Sequence, residues 1–118
     1  MIKGIGIDIA ELARVQQVAE RQPRFAERVL TEPELAVLAS LRGRRRIEFL
    51  AGRFAAKEAF SKAMGTGIGK ELSFLDIEIG AEPSGKPAIV QPFSAGVHLS
   101  ISHSREYAVA QVVIEETD

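Results

Sequence analysis

The chain has 118 residues, 46% of them apolar, and a formal net charge of −1. This length and apolar content suit one globular domain spanning residues 1–118. The net charge disfavours a general nucleic-acid-binding protein, since such a protein needs a basic excess. It has no cysteine, which excludes disulfides and thiolate metal sites. No apolar run is long enough to cross a membrane and the first residues do not resemble a signal peptide, so we expect a cytoplasmic protein with no membrane partner.

The first third of the chain predicts one strand followed by helices. Ile2–Ile9 alternates β-branched residues with small or acidic ones, as a strand does. Glu11–Arg21 places apolar residues at helical spacing until Pro23 interrupts the helix. Thr31 is a good N-cap before an acidic first turn, so another helix should run from there to about Leu41.

The strongest predicted helix is Glu48–Met64. A loop at Arg42–Arg44 should precede it, and Gly65–Gly69 should end it. One narrow apolar face follows the 3.6-residue repeat of an α-helix. Its members are Phe49, Gly52, Ala56, Phe60 and Ala63.

The last third predicts strands. Candidates are Phe74–Gly80, Ala88–Val90, Val97–Ser102 and Tyr107–Ile114, with a turn at Pro83–Pro87. The predicted class is therefore α+β, with a helical insertion after the first strand and then a mostly antiparallel sheet.

Positive charge is concentrated in residues 42–70, which hold eight basic residues and two acidic ones. Such a segment can attract a phosphorylated ligand or an acidic protein, although a solvated helix start has the same composition.

Three acidic or basic residues are candidates for a metal and phosphate site. Asp8 is a carboxylate in an apolar strand, where it could hold Mg²⁺ or simply cap the following helix. Glu58 and Lys62 are four residues apart on one helix face, which they share with Ser61 and Gly65 as a polar edge. An ordinary surface ion pair would explain Glu58 and Lys62 equally well.

Two further segments could contact a ligand. The glycines of Gly65–Gly69 could bring backbone N–H groups close to phosphate oxygens, or could only form a helix C-cap and turn. The segment lacks the spacing of a Walker A loop. His103 ends a polar strand run and could contact a ligand or only form hydrogen bonds in a turn.

A set of arginines could bind an acidic partner. Arg14, Val18 and Arg21 share a helix face by spacing, and Arg24 and Phe25 follow Pro23. A solvated amphipathic helix is the alternative interpretation.

Together, four motifs resemble those of the bacterial holo-acyl-carrier-protein synthase family in order and spacing. The resemblance covers essentially the whole chain, and Ser104, where members often have threonine, is a small departure that keeps a hydroxyl. The motifs are Gly4–Ile9, Phe49–Ala63 running into Gly65–Gly69, Ser84–Pro87 and Ser100–Ser104.

The resemblance implies a homotrimer that transfers the 4′-phosphopantetheine group of coenzyme A to a serine of apo acyl carrier protein in fatty acid biosynthesis, releasing adenosine 3′,5′-bisphosphate. It implies that Asp8 and Glu58 bind Mg²⁺ and that Lys62 stabilises or protonates the leaving group. It implies coenzyme contacts, at sites between subunits, by Arg45, Arg53, Ser61, Lys62, Gly65, Thr66, Gly85, Pro87 and His103. It assigns carrier-protein docking to Arg14, Val18, Arg21, Arg24 and Phe25.

Two other functions are compatible with parts of the pattern. A non-catalytic nucleotide-binding module would use the basic segment and the glycine loop but would not need Asp8 and Glu58. A metal-dependent phosphohydrolase would release phosphopantetheine to water without a carrier.

Overall fold

A computed structural model describes residues 1–117, within which the chain forms four α-helices, five strands and a short 3₁₀ helix. The arrangement confirms the α+β class and the helical insertion after the first strand. The elements are β1 (Ile2–Glu11), α1 (Leu12–Arg21), α2 (Phe25–Val29), α3 (Glu32–Ala39), α4 (Arg44–Met64), the 3₁₀ helix (Phe74–Asp76), β2 (Glu78–Ala81), β3 (Pro87–Gln91), β4 (Val97–His103) and β5 (Tyr107–Glu115).

The main sheet has three antiparallel strands in the order β1-β5-β4, and β2 and β3 form a separate antiparallel pair. Asp8 lies opposite Ala110 in the register of β1 and β5. The first and last strands of the chain are therefore neighbours, and all four α-helices lie in the connection between β1 and the 3₁₀ helix.

Two glycines let α4 lie unusually close to β1. A Cβ atom at Gly4 would lie 2.0 Å from the carbonyl oxygen of Ala63, and one at Gly6 would lie 1.9 Å from that of Ala59. No side chain fits at these distances, so glycine is required where the strand backbone meets the helix backbone. The close contact brings the inner face of β1, which also carries Asp8, against α4.

On its other face the main sheet carries an apolar patch on β1 and β5 that is uncovered in the single chain, whereas β4 is polar there, with His98, Ser100 and Ser102. Ile5, Ile7 and Ile9 are 61%, 58% and 61% exposed, since alternate residues of a strand point to opposite faces. Half-buried Val113 and Val109 lie opposite Ile5 and Ile9 on β5. We call these five residues the apolar sheet face.

Two predicted boundaries near the start of helices are wrong. The strand continues to Glu11, because Ala10 and Glu11 still pair with Ala108 and Tyr107, and α1 begins only at Leu12. Arg44 belongs to α4 and not to the preceding loop, because Gly43, with a φ of 61°, makes the turn before the helix.

The predicted strand at Phe74–Gly80 is only partly correct. Its first three residues form the 3₁₀ helix, and β2 covers only Glu78–Ala81. The Asp76 carboxylate accepts hydrogen bonds from the backbone N–H and hydroxyl of Ser73, which favours a tight turn over an extended strand.

The predicted end of α3 is also two residues too late, since the helix ends at Ala39.

In the part of the chain that the structure describes, none of the helices is both long enough and apolar enough to span a bilayer.

Candidate active site

Asp8 lies on the face of β1 that packs against α4. Its carboxylate oxygen Oδ1 is 3.1 Å from Nζ of Lys62, which also donates a hydrogen bond of 3.1 Å to the carbonyl oxygen of Ile7. Helix α1 begins four residues further on and its N-cap is Glu11, without a side-chain hydrogen bond. Asp8 is therefore not a helix cap, and its carboxylate instead pairs with Lys62.

Glu58 faces Asp8 from α4. Burial raises the pKa of the Glu58 carboxyl, the nearby negative charge of Asp8 raises it further, and the ammonium group of Lys62 partly offsets both effects. Two carboxylates and one lysine thus lie close together in a partly desolvated place. Such a cluster is electrostatically unfavourable for folding alone and is typical of a functional site.

The three side chains open into a cavity of about 580 Å³ between β1, α1, α2 and α4. Arg14, Val18 and Phe25 line the same cavity. The structure therefore brings three of the five predicted docking residues directly beside the carboxylates. The other two, Arg21 and Arg24, are exposed near the end of α1 and the start of α2.

A second cluster gathers predicted coenzyme residues at the other end of α4. Arg45, Arg53, Pro87 and His103 line a cavity of about 270 Å³ together with Glu48 and other residues. The Arg53 guanidinium lies 4.3 Å from the centre of the Phe49 ring, a cation–π contact. We call this cavity the basic cleft.

Arg53 in the basic cleft has an unused hydrogen-bond donor. Its Nε is buried and has no partner within residues 1–117. Burial lowers the pKa of the Arg53 guanidinium, and the negative charge of Glu34 partly offsets this effect. The side chain nevertheless stays charged, as arginine does in proteins. A buried cationic donor without a partner is suited to an anionic ligand.

Ser61 does not lie on the exposed polar edge that its spacing predicts. The side chain is completely buried, and its hydroxyl donates a 2.7 Å hydrogen bond to the carbonyl oxygen of Glu58. The reason is that α4 is buried on several sides between Leu50 and Ser61, and not along one face alone. Its backbone carbonyl accepts bonds from Thr66 and Gly67, so Ser61 helps to fix the glycine loop.

The glycine loop after α4 begins as predicted. Gly65 is a left-handed C-cap with a φ of 82°. The Thr66 hydroxyl donates to the carbonyl oxygen of Gly67. Gly85 is in the exposed turn between β2 and β3, with a φ of 91°. These three residues line neither of the two cavities.

The buried ion pair of Lys57 and Glu34 was not predicted from the sequence. Lys57 Nζ donates to Glu34 Oε1 at 2.6 Å, to the carbonyl of Val29 at 2.6 Å and to that of Phe74 at 3.1 Å. Glu34 also accepts bonds from the backbone N–H groups of Thr31 and Ile79. The pair joins α2, α3, the 3₁₀ helix and β2 to α4. A signal was available, since Lys57 is three residues before Phe60 on the buried side of the helix.

The fold and the two cavities define a class of protein. It is a small α+β protein in which one cavity holds two carboxylates and a lysine, and the other cavity is the basic cleft. The family model of the 4′-phosphopantetheinyl transferase superfamily matches residues 4–112. The chain belongs to this family, and the resemblance found in the sequence motifs is confirmed.

The relatives of the chain agree with this assignment. It is 62% identical over 115 residues to a holo-[acyl-carrier-protein] synthase of Bacillus cytotoxicus, covering 98% of this chain and 97% of the relative. It superposes with a TM-score of 0.90 on a holo-(acyl-carrier-protein) synthase of Bacillus anthracis in complex with CoA (3′,5′-ADP), at 58% identity and 99% coverage of both chains. Superposition on the Helicobacter pylori holo-[acyl-carrier-protein] synthase in complex with coenzyme A gives a TM-score of 0.82 at 39% identity, and the match covers 94% of this chain and 99% of that one.

Proposed function

We propose that the chain is a holo-acyl-carrier-protein synthase that transfers the 4′-phosphopantetheine group of coenzyme A to a serine of apo acyl carrier protein, as part of fatty acid biosynthesis. The observation that carries the proposal is the meeting of Asp8, Glu58 and Lys62 in one cavity. The same cavity is lined by Arg14 and Phe25, so a docked acidic protein would present its serine beside these groups.

The reaction forms one bond and breaks one bond at the β-phosphorus of coenzyme A. The serine oxygen bonds to this phosphorus, the bond to the bridging oxygen breaks, and adenosine 3′,5′-bisphosphate leaves with the electron pair. Lys62, whose side chain is half exposed, stabilises or protonates the leaving phosphate. In our proposal a water held at the carboxylates accepts the proton of the serine.

Asp8 and Glu58 fit a Mg²⁺ site. Their oxygen atoms are the donors that Mg²⁺ prefers, and one or two protein carboxylates plus substrate phosphates and water are its usual set of ligands. When bound, Mg²⁺ would offset the charge of the coenzyme pyrophosphate and of the leaving group.

The basic cleft is proposed to hold the nucleotide part of coenzyme A. It lies on a different part of α4 from the carboxylates: at 1.5 Å per residue along the helix, Glu58 is about 20 Å from Arg45 and about 8 Å from Arg53, and the two cavities share no lining residue. One chain thus presents two separate half-sites. We propose that each coenzyme site joins the carboxylate cavity of one subunit to the basic cleft of its neighbour.

We propose a homotrimer, because the apolar sheet face needs a partner and a shared site needs a second copy. Light scattering should give about three times the chain mass of 12.8 kDa. Ile5→Lys should dissociate the assembly and abolish activity, because it places a charge in the apolar sheet face. Val37→Lys is the matched control, since Val37 is also exposed but lies on α3. A stable, active monomer would disprove the assembly.

The proposed function is tested by mixing the protein with coenzyme A, Mg²⁺ and apo carrier protein. The carrier should gain the mass of phosphopantetheine. Binding of coenzyme A without any gain would favour a non-catalytic module, and release of phosphopantetheine without a carrier would favour a phosphohydrolase. Either result would reject the proposal.

Arg14→Glu should weaken carrier-protein binding much more than coenzyme A binding. Arg14 lines the cavity on the side of α1, where it can attract an acidic protein. Arg14→Gln should have a smaller effect, because it removes the charge without reversing it. Isothermal titration with each ligand measures both affinities, and the loss should shrink as salt is added. Equal weakening of both ligands would contradict the docking role.

A further inference from the structure

A chain of ionic contacts ends at His103 in the basic cleft. The Glu48 carboxylate oxygen Oε2 is 3.0 Å from Nε of Arg44 and 3.4 Å from Nδ1 of His103. Only 17% of the Glu48 side chain is exposed, whereas the His103 side chain is about half exposed. Glu48 thus touches the imidazole from the protein side.

Arg44 fixes both the carboxylate and the backbone that carries the imidazole. Its NH2 group donates to the carbonyl oxygen of Ser104 at 2.9 Å and also to that of Arg105. The turn itself is closed by a 2.8 Å bond from the Ser104 N–H to the Tyr107 carbonyl. The first turn of α4 and the turn after β4 are therefore joined, and the position of His103 relative to Glu48 is set from both sides.

This arrangement also explains an acidic residue in a cleft suited to anions. A carboxylate beside Arg45 and Arg53 would weaken the attraction for phosphate. Arg44 offsets that charge, so Glu48 acts on His103 at short range without making the cleft negative at longer range.

We infer that Glu48 is a positioning residue for coenzyme binding: its carboxylate, 3.4 Å from Nδ1 of His103, favours the hydrogen on that nitrogen and leaves Nε2 as the nitrogen that the coenzyme nucleotide contacts. A carboxylate beside one ring nitrogen favours the tautomer of the neutral imidazole that carries its hydrogen there. Nε2 then accepts from a nucleotide N–H or O–H when the ring is neutral, and donates to a phosphate oxygen when it is protonated. The inference rests on the proposed function only for the identity of the ligand.

The chain offers an internal control, because it has two histidines. His98 contacts Glu115 through Nε2, at 2.5 Å, and not through Nδ1. The two imidazoles are therefore expected to be opposite tautomers, with the hydrogen on Nδ1 of His103 and on Nε2 of His98. Nitrogen-15 NMR of the ring nitrogens of the ligand-free, full-length protein distinguishes these states directly.

The decisive variants are Glu48→Met and the matched Glu115→Met, which remove an acceptor and keep the length of the side chain. Glu48→Met should shift His103 towards the Nε2–H tautomer. The KM for coenzyme A should rise about 3- to 10-fold, which corresponds to the loss of one hydrogen bond between His103 and the coenzyme, and kcat should be nearly unchanged. Glu115→Met should change only the His98 signals and leave KM unaltered. In Glu48→Asp, which keeps a carboxylate, the fraction of the Nδ1–H tautomer and the KM should both lie between those of Glu48→Met and the wild type.

The outcomes separate the inference from the proposed function. An unchanged His103 tautomer in Glu48→Met would overturn the positioning role even in a fully active enzyme. A shifted tautomer with an unchanged KM would show that Nε2 does not contact the coenzyme, which also overturns it. Failure of the wild-type protein to modify any carrier would reject the proposed function, whereas the tautomers of the two histidines would still be measured.

Discussion

Alanine at Asp8 or at Glu58 should each reduce phosphopantetheine transfer on the order of 10²-fold or more, with the protein still folded. The two carboxylates face each other across the contact of β1 with α4, and a Mg²⁺ ion held by so few protein ligands needs both. Losing one leaves the pyrophosphate charge poorly compensated in the transition state. Initial rates of carrier modification at saturating coenzyme A and Mg²⁺ measure the loss.

Stability supplies an independent measurement for these variants. Because the pKa of Glu58 is raised in the folded protein, folding favours its protonated form, and the ionised form at neutral pH costs stability. Glu58→Ala should therefore melt at the same or a slightly higher temperature without metal. Added Mg²⁺ with coenzyme A should raise the melting temperature of the wild type more than that of either variant.

Lys62→Ala is the control for the two carboxylate variants, because it removes a charge beside Asp8 and Glu58 but keeps both carboxylates. It should keep part of its Mg²⁺-dependent coenzyme binding while the chemical step slows, since the role proposed for Lys62 is to act on the leaving phosphate and not to bind the metal. The metal assignment would be wrong if both carboxylate variants kept near-normal turnover at saturating Mg²⁺, or if they lost activity only through unfolding.

Local patterns in the sequence predict most of the element order, although not α2 or the 3₁₀ helix, and they leave the role of the carboxylates open. Period-2 alternation identifies β1, and a 3.6-residue repeat identifies most of α4. Asp8 stands out as a carboxylate inside an apolar strand, and Glu58 and Lys62 stand out by their spacing. The motif resemblance then predicts that Asp8 and Glu58 meet, although they are far apart in the chain.

The remaining features depend on long-range contacts that periodicity does not encode. Ser61 and Lys57 look like polar helix residues, but both are fully buried, and Lys57 is covered by α2, α3 and the 3₁₀ helix. The contact between Glu48 and His103 joins a helix to a strand more than fifty residues later. Such pairings require the three-dimensional packing and follow from no spacing within one element.

The buried pair of Lys57 and Glu34 gives the largest expected loss of stability. Lys57→Met should lower the free energy of unfolding by about 3–5 kcal/mol, because it leaves the Glu34 carboxylate buried without its cation and leaves the carbonyls of Val29 and Phe74 without a donor. Urea unfolding followed by circular dichroism measures this change. The ammonium group is fully buried, and burial lowers the pKa of Lys57, an effect that the hydrogen bond and charge of Glu34 oppose.

The matched control is Lys62→Met, the same substitution on the same helix at a half-exposed lysine, which should change stability by less than about 1 kcal/mol. The double variant Lys57→Met with Glu34→Gln should be less destabilised than the sum of the two single variants, because neither charge then remains buried alone. Since the pair holds the end of α2 and the start of α3 against α4, the single variant should also weaken carrier binding through displaced Phe25. A loss for Lys57→Met no larger than that for Lys62→Met would show that the ion pair does not hold these helices in place.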